Sequence, residues 1–190
     1  MRTFIAITLP EEIKDFLGSL QAQLKKAGAD VKWVSPKNIH LTLKFLGEID
    51  ENNTGKAIGA IETVAAGHSA FQVRLCSLGA FPSLSSPRVI WAAIDEGNSQ
   101  TIGIAKELEE RLAIIGFEKE GRPFSTHITL GRVRSALNKE KLARLLTDHS
   151  EGFSQEQRGF TAEAITLFKS TLQPQGPYYE ILRVANLRPI

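Results

Sequence analysis

His40-Leu41-Thr42-Leu43 and His127-Ile128-Thr129-Leu130 share one pattern: a histidine, an aliphatic residue, a threonine and a second aliphatic residue. Each stretch lies in a run of apolar and β-branched residues that predicts a β-strand. Because side chains alternate between the two faces of a strand, the histidine and the threonine share one face and the aliphatic residues share the other. We therefore expect each strand to bury its aliphatic face and to present an imidazole and a hydroxyl outward.

The two motifs belong to a weak internal repeat. His127 follows His40 by 87 positions (127 − 40), and the same shift places residues 5–7 over residues 92–94. Self-similarity at a fixed spacing indicates repeated structural units. The sequence therefore predicts an α+β fold of two lobes related by a pseudo-twofold axis, with the two His/Thr faces meeting across a cleft.

Apolar periodicity and turn residues predict the other elements of the fold. Strands are predicted at about residues 3–9, 31–34, 39–46, 71–78, 88–95, 126–134, 160–172 and 178–187. Helices are predicted at about residues 11–26, 52–66, 98–115 and 138–146. Glycine, proline and serine predict a long loop over residues 79–87, and a further loop is expected around Gly152.

Composition narrows the class of protein. Hydrophobic residues make up 42% of the 190 positions and charged residues 23%, which is typical of a globular protein. The formal net charge of +2 is well short of that of a dedicated duplex-DNA binder. Cys76 is the only cysteine, so an internal disulfide and a thiolate metal cluster are excluded. The first apolar run ends at Pro10, too early for a secretory signal, and no run approaches the ~20 residues of a membrane span. A cytoplasmic protein without a membrane segment is expected.

Two histidines suit the opening of a cyclic phosphate. An imidazole titrates near pH ~6.5, so one histidine can take a proton from the attacking water while the other donates one to the departing ribose oxygen. Thr42 and Thr129 are candidate donors of hydrogen bonds to the non-bridging phosphate oxygens, where negative charge must be stabilised. This chemistry requires no metal and no cofactor.

Two other interpretations of the motifs stay open. Each histidine can be a half-buried strand residue held by a neighbouring hydroxyl, although composition alone gives two such motifs among four histidines about once in a thousand sequences. A catalytic zinc is a second alternative, but it usually takes three protein ligands, and no HExxH motif or carboxylate cluster accompanies either histidine. His68 and His149 have no threonine partner and are expected at the surface. Phosphate-loop, dinucleotide-binding and nucleophile-elbow motifs are missing from the sequence.

The sequence resembles the two-histidine (2H) phosphoesterases, most closely the RNA 2′,3′-cyclic phosphodiesterases once named 2′-5′ RNA ligases. Nearly the whole chain takes part in the resemblance. The family usually has proline immediately before the second histidine, whereas Thr126 stands there in this sequence. The residues that carry the resemblance are 1–7, 33–34, 40–47, 81–82, 87–91, 122–124, 127–132 and 176–178.

The resemblance implies a fold and a reaction. The fold is α+β and bilobal, with two antiparallel sheets lining a central cleft and helices outside, and residues 1–190 form one domain of two intertwined lobes. The reaction is hydrolysis of an RNA 2′,3′-cyclic phosphate end to a 2′-phosphate, with His40 as the general acid toward the 3′ oxygen and His127 activating water. The reverse reaction would join a 5′-hydroxyl through a 2′-5′ linkage. RNA ends or oligonucleotides are the expected partners, and a monomer is expected.

The resemblance also places Phe45 and Arg132 near the substrate, as a base-stacking ring and a phosphate clamp. Strict alternation puts both on the strand face opposite the histidines, so a β-bulge or the strand end must re-aim them. Four aromatic residues are candidates to line the cleft, but packing in the core is the first expectation for each of them: Phe81, Trp91, Phe124 and Tyr178. Alternative functions are a cyclic phosphodiesterase acting on ADP-ribose cyclic phosphate or 2′-5′ oligonucleotides, and a non-catalytic RNA- or nucleotide-binding module.

Overall fold

The computed structural model describes residues 1–153 and 158–190. Nine strands and four helices make up this part of the chain, and a short 3₁₀ turn at Pro36–Asn38 lies between two of the strands. The strands are β1 (Arg2–Thr8), β2 (Val31–Trp33), β3 (His40–Glu48), β4 (Phe71–Ser83), β5 (Ser86–Ile94), β6 (Ile128–Val133), β7 (Gly159–Ala162), β8 (Ala164–Gln173) and β9 (Gly176–Asn186). The helices are α1 (Glu11–Lys25), α2 (Glu51–Gly67), α3 (Asn98–Ile114) and α4 (Lys139–Phe153).

The strands form two antiparallel sheets. Sheet I has the order β3-β1-β8-β9, and sheet II has the order β2-β6-β5-β4-β7. Each sheet takes strands from both halves of the chain, since β2 joins sheet II while β8 and β9 return to sheet I. The predicted α+β fold with two antiparallel sheets is confirmed, and the two motif strands, β3 and β6, lie in different sheets.

The two faces of each motif strand differ as the alternation predicts. In β3, Leu41 and Leu43 are buried in a hydrophobic cluster that also contains residues of all four helices. In β6, Ile128 and Leu130 are fully buried in the same cluster. On the opposite face of sheet I, a small separate cluster is formed by Phe4, Ala6 and Phe168 of β1 and β8. The helices therefore cover one face of the sheet, and the His/Thr face is the other.

The internal repeat is present, but its register differs from the prediction. Thr42 lies opposite Ala6 in sheet I, and Thr129 lies opposite Trp91 in sheet II. Ala6 and Trp91 are 85 positions apart (91 − 6), so residues 90–92 rather than 92–94 occupy the place of residues 5–7. The connection from β5 to β6 is two residues longer than that from β1 to β3. Because side chains alternate with period two, this shift keeps the same residues facing the cleft.

The loop predicted over residues 79–87 is wrong. β4 continues to Ser83 and pairs with β5 from Ser86 onward, so most of this segment is the end of a β-hairpin. Gly79 is in the strand because the ring of Trp91, directly opposite, lies where a side chain would be; a Cβ at Gly79 would be 2.5 Å from that ring. Glycine here reports a close approach within a sheet, not a turn.

Two other predicted boundaries are corrected near the C-terminal end. α4 runs through Gly152 to Phe153, because Phe153 is buried on the same helix face as Leu142 and Leu146. The single strand predicted over residues 160–172 is two strands separated by Glu163. β7 pairs with β4 in sheet II and β8 pairs with β1 in sheet I, so the chain changes sheets at this point. Within the described ranges, no helix is long and apolar enough to cross a membrane.

Candidate active site

The two histidines are held in the same way. His40 is the first residue of β3, and His127 immediately precedes β6. Nδ1 of His40 lies 2.7 Å from the Asn38 carbonyl oxygen, and Nδ1 of His127 lies 2.7 Å from the Ser125 carbonyl oxygen. A carbonyl oxygen can only accept, so each Nδ1 carries a proton and donates it, and each Nε2 is left for a ligand. Sequence reasoning missed this anchor because its acceptor is backbone and leaves no trace in residue type.

His40 lies among aromatic rings of sheet I. Its ring stacks on Phe4, with centroids 4.7 Å apart, and is nearly perpendicular to the ring of Tyr179, with centroids 5.5 Å apart. Burial lowers the pKa of His40 below its usual value, and the positive charge of Lys14 acts in the same direction; the Asn38 carbonyl opposes both. In the free protein this environment favours the neutral imidazole. Burial also raises the pKa of Tyr179, which keeps its phenol protonated.

His127 has a more open environment. The ring of Phe81 is nearly perpendicular to its ring, with centroids 5.5 Å apart, and Phe81 packs on Trp91 at 5.0 Å. Phe81 is 38% exposed, so the expectation of core packing is wrong for this residue. Tyr178, also expected in the core, is 52% exposed, and its neighbour Tyr179 is the tyrosine that reaches a motif histidine. Because side chains alternate along β9, only one of two adjacent tyrosines can face His40.

β-bulges lie at equivalent positions of the two motif strands. In β3, Leu43 is the extra residue between the pairs Ala6/Thr42 and Ile5/Lys44. In β6, Leu130 is the extra residue between the pairs Trp91/Thr129 and Ile90/Gly131. Leu43 and Leu130 are themselves 87 positions apart (130 − 43). The repeat therefore includes its irregularities, and each bulge inverts the alternation of the residues that follow it.

The bulges bring Phe45 and Arg132 to the His/Thr face, as their predicted role requires. Phe45 lies opposite Phe4, with ring centroids 6.1 Å apart, and Phe4 in turn stacks on His40. Arg132 lies opposite Val89, two positions along β5 from the partner of Thr129. Phe45 and Arg132 are both exposed.

Thr42 and Thr129 are half-buried on the same face as their histidines. Across residues 1–153 and 158–190, neither hydroxyl makes a hydrogen bond to another protein group. Both hydroxyls are therefore free to bond to a ligand.

The two motif strands are close together. The backbones of β3 and β6 approach to within 8 Å between Cα atoms. Gln21, fully buried in α1, donates from Nε2 to the carbonyl oxygens of Val34, at 2.7 Å, and Leu130, at 2.8 Å. The Val34 backbone N–H also donates to Leu130 at 2.9 Å. This network fixes the bulged residue of β6, and its sequence signal was a lone glutamine within the apolar stripe of α1.

A buried cation connects β3 to the segment that precedes β6. Lys44, which the bulge turns toward the helices, donates from Nζ to Glu109 Oε2 at 2.6 Å and to the Glu118 carbonyl oxygen at 3.1 Å. The other carboxylate oxygen of Glu109 accepts from the Glu120 backbone N–H at 2.6 Å. Sequence reasoning missed this cluster because Lys44 and Glu109 are 65 positions apart.

The remaining histidines lie outside this arrangement. Nε2 of His68 is 2.9 Å from Glu107 Oε2 of α3, and His149 lies within α4. Both histidines are partly exposed, as expected of surface positions. In the part of the chain that the structure describes, no three His, Cys, Asp or Glu side chains are grouped to hold a metal ion.

The two sheets with equivalent His/Thr strands agree with a family of phosphoesterases that contains the same unit twice. The family model described as LigT like Phosphoesterase matches the chain twice, at residues 7–91 and 94–179. The chain therefore belongs to this family, and the resemblance found in the sequence is confirmed. The two matches begin 87 positions apart (94 − 7), the same spacing as the two histidines.

Particular relatives agree over the full length. The RNA 2′,3′-cyclic phosphodiesterase of Methanocaldococcus jannaschii is 38% identical over 184 residues, covering 96% of this chain and 99% of the relative. The protein of the same name from Methanothermobacter thermautotrophicus is 31% identical over 188 residues, covering 98% and 99%. Among solved structures, TT0787 of Thermus thermophilus has a TM-score of 0.80 at 28% identity, covering 100% of this chain and 99% of that one. E. coli LigT complexed with 3′-AMP has a TM-score of 0.78 at 27% identity, covering 98% and 97%.

Proposed function

We propose that this protein hydrolyses the 2′,3′-cyclic phosphate end of RNA to a 2′-phosphate, by acid/base catalysis with two histidines. One observation carries the proposal: two imidazoles anchored identically through Nδ1 stand at the start of β3 and β6, whose backbones come within 8 Å, and each is followed by an unbonded threonine hydroxyl. The relatives named RNA 2′,3′-cyclic phosphodiesterase support the choice of substrate.

In the proposed reaction, Nε2 of His127 takes a proton from water as the water oxygen attacks phosphorus. The bond between phosphorus and the 3′ oxygen breaks, and protonated Nε2 of His40 donates its proton to that oxygen. The products are a 2′-phosphate monoester and a free 3′-hydroxyl. Each histidine ends in the protonation state from which its partner began, so proton exchange with solvent resets the pair.

The acid role of His40 depends on the substrate. Because burial lowers the pKa of His40, the free protein holds less of the imidazolium that the reaction needs. An anionic phosphodiester beside Nε2 favours the charged imidazole and offsets the cost of burial. Binding the substrate thus prepares its own acid.

The other site residues bind the phosphate and the base of the substrate. Thr42 and Thr129 donate hydrogen bonds to the non-bridging oxygens, whose charge increases in the transition state. Phe45 offers an exposed ring for a base to stack on, and Arg132 binds phosphate. Catalysis without a metal, reversal to a 2′-5′ linkage, a monomeric state and a cytoplasmic location stay predictions from the sequence.

Product mapping tests the proposal. The protein, treated with a chelator, is incubated with RNA ending in a 2′,3′-cyclic phosphate, and ³¹P NMR identifies the oxygen that keeps the phosphate. A 2′-phosphate formed at the same rate with and without chelator is expected. A 3′-phosphate, loss of activity on chelation, or no turnover would each contradict the proposal. Parallel assays with ADP-ribose cyclic phosphate and 2′-5′ oligonucleotides test the alternative substrates, and RNA binding without any turnover would identify a binding module.

A further inference from the structure

A second cation stands beside Arg132 in sheet II. Lys32 of β2 is paired directly with Arg132 of β6 in the antiparallel ladder. Residues directly opposite one another in such a ladder project from the same face of the sheet. The neighbours of Lys32 in β2, Val31 and Trp33, pack against the main hydrophobic cluster, so Lys32 lies on the other face, together with Arg132.

Among the described residues, this pair of cations meets no acidic partner. Lys32 and Arg132 are both exposed, and over residues 1–153 and 158–190 neither has an acidic group within 4 Å. Like charges directly opposite one another destabilise a sheet. An anion bound between the two side chains would relieve that repulsion and would be held by two charge-assisted contacts.

The pair is in line with the His/Thr face. Thr129 pairs with Trp91 and Arg132 with Val89, so the two are separated by two positions of β5 on one face. Two strand positions span about 7 Å, which is comparable to one nucleotide of an extended single strand. The pair thus stands about one nucleotide away from the motif threonine of sheet II.

At the equivalent position of the opposite sheet, the repeat places an aromatic residue rather than a cation. The residue that the repeat places at the position of Arg132 is Phe45 (132 − 87), which lies beside Phe4 of β1; Phe4 in turn stacks on Phe168 of β8. At this position of the repeat, one wall of the site is therefore aromatic and the other basic, although the motifs themselves are symmetric. Arg2, the cation of β1 on the same face as Phe4, lies two residues farther along that strand. This asymmetry suits a chain of nucleotides, in which bases and phosphates must be held on different sides.

We propose that Lys32, together with Arg132, binds the internucleotide phosphate that precedes the cyclic phosphate. Lys32 is then a specificity residue, which makes an oligonucleotide a better substrate than a mononucleoside cyclic phosphate. The proposal rests on the proposed function, because it places the cyclic phosphate at the two histidines.

The test compares two substrates in the Lys32→Ala variant: adenosine 2′,3′-cyclic phosphate, and the 3′-5′-linked dinucleotide ApA ending in a 2′,3′-cyclic phosphate. For the dinucleotide, kcat/KM is expected to fall about tenfold, mainly through KM, and the dependence of log KM on log salt to weaken by about 0.7. For the mononucleotide, kcat/KM should stay within about twofold, since it lacks the phosphate concerned. Lys32→Arg should retain the dinucleotide activity.

The control is Lys106→Ala, which removes the same charge from an exposed position of α3 and should leave both substrates unaffected. Equal losses on both substrates, or no loss on the dinucleotide, would overturn the proposal. Failure of the proposed function gives a different result, namely that the unaltered protein opens neither substrate. In that case, binding of a labelled dinucleotide with a terminal 2′-phosphate still decides, because an unchanged Kd in Lys32→Ala would rule out the site.

Discussion

At the residue scale, the two motif histidines share an anchor but differ in environment. Each donates from Nδ1 to a carbonyl oxygen two residues earlier, at 2.7 Å. His40 is enclosed by Phe4 and Tyr179, whereas the described ring contact of His127 is with Phe81. Burial is the main cause of the lowered pKa of His40, so rings that exclude water from it control its protonation.

Replacing Tyr179 with alanine is expected to raise the pKa of His40 toward its usual value near ~6.5, because water then reaches the imidazole. Titration of the histidine Cε1–H signals by NMR measures the change. Tyr178→Ala is the matched control, since Tyr178 is the exposed neighbour and its removal should leave the titration of His40 unchanged. An unshifted His40 in Tyr179→Ala would show that this ring does not determine its pKa.

The lowered pKa of His40 also makes the stability of the fold depend on pH. A histidine that is harder to protonate when folded stabilises the native state above pH ~6.5. The contribution is lost as the pH falls through the lowered folded-state pKa, because the unfolded chain then binds the extra proton. His40 is therefore expected to make the folded protein less stable as the pH falls from neutral to below its folded-state pKa. Urea unfolding at one neutral and one acidic pH measures this loss, and Tyr179→Ala should lessen it.

At the element scale, the motif strands were predictable and their partners were less so. Alternation predicts the strands that carry His40 and His127. A bulge is needed because strict alternation would put Phe45 and Arg132 on the face opposite the histidines. The positions of the bulges cannot be predicted in this way, because they depend on pairing with β1 and β5.

The hairpin formed by β4 and β5 shows why local composition failed elsewhere. Gly79 and Pro82 predict a loop when only neighbouring residues are considered, but both lie in β4, and the place of Gly79 is explained by a ring on another strand. Gln21 and Lys44 were likewise unpredictable, since their partners are distant in sequence. Sequence patterns thus report which face a residue takes, but not which distant residue it meets.

Gly79→Ala tests the close contact within that hairpin. The new Cβ would lie 2.5 Å from the Trp91 ring, so the ring must move, and with it Phe81 beside His127. A loss of about 1–3 kcal/mol in the free energy of unfolding is expected from such overpacking, measured by urea denaturation. Gly103→Ala is the control: nothing lies within 4 Å of its added Cβ, and an exposed helix position should gain up to about 1 kcal/mol. Equal stability of the two variants would contradict the packing described.

At the scale of the whole molecule, neither half of the chain completes a sheet by itself. β2 of the first half lies at the edge of sheet II, and β8 and β9 of the second half complete sheet I. One hydrophobic cluster of described residues takes side chains from both sheets and from all four helices. From these contacts we infer that residues 1–190 form one domain of two intertwined lobes.

Cooperative unfolding tests that inference. Trp33 and Trp91 both lie in sheet II, so their fluorescence reports the unfolding of one sheet, whereas far-ultraviolet circular dichroism reports both. Coincident urea transitions by the two probes are expected for one domain. Separated transitions would mean that the two sheets unfold independently.

The central claim is that His40 and His127 act as a pair, and mutation of each tests it most directly. In chelator-treated protein, His40→Ala and His127→Ala are each expected to lower kcat for cyclic-phosphate-ended RNA by about 10²–10⁴, with RNA binding largely retained. The kcat of the double variant should be little lower than that of the less active single variant, because the two groups act as a unit. His68→Ala, which removes a histidine paired with Glu107, should keep full activity. Undiminished turnover in either motif variant would contradict the account.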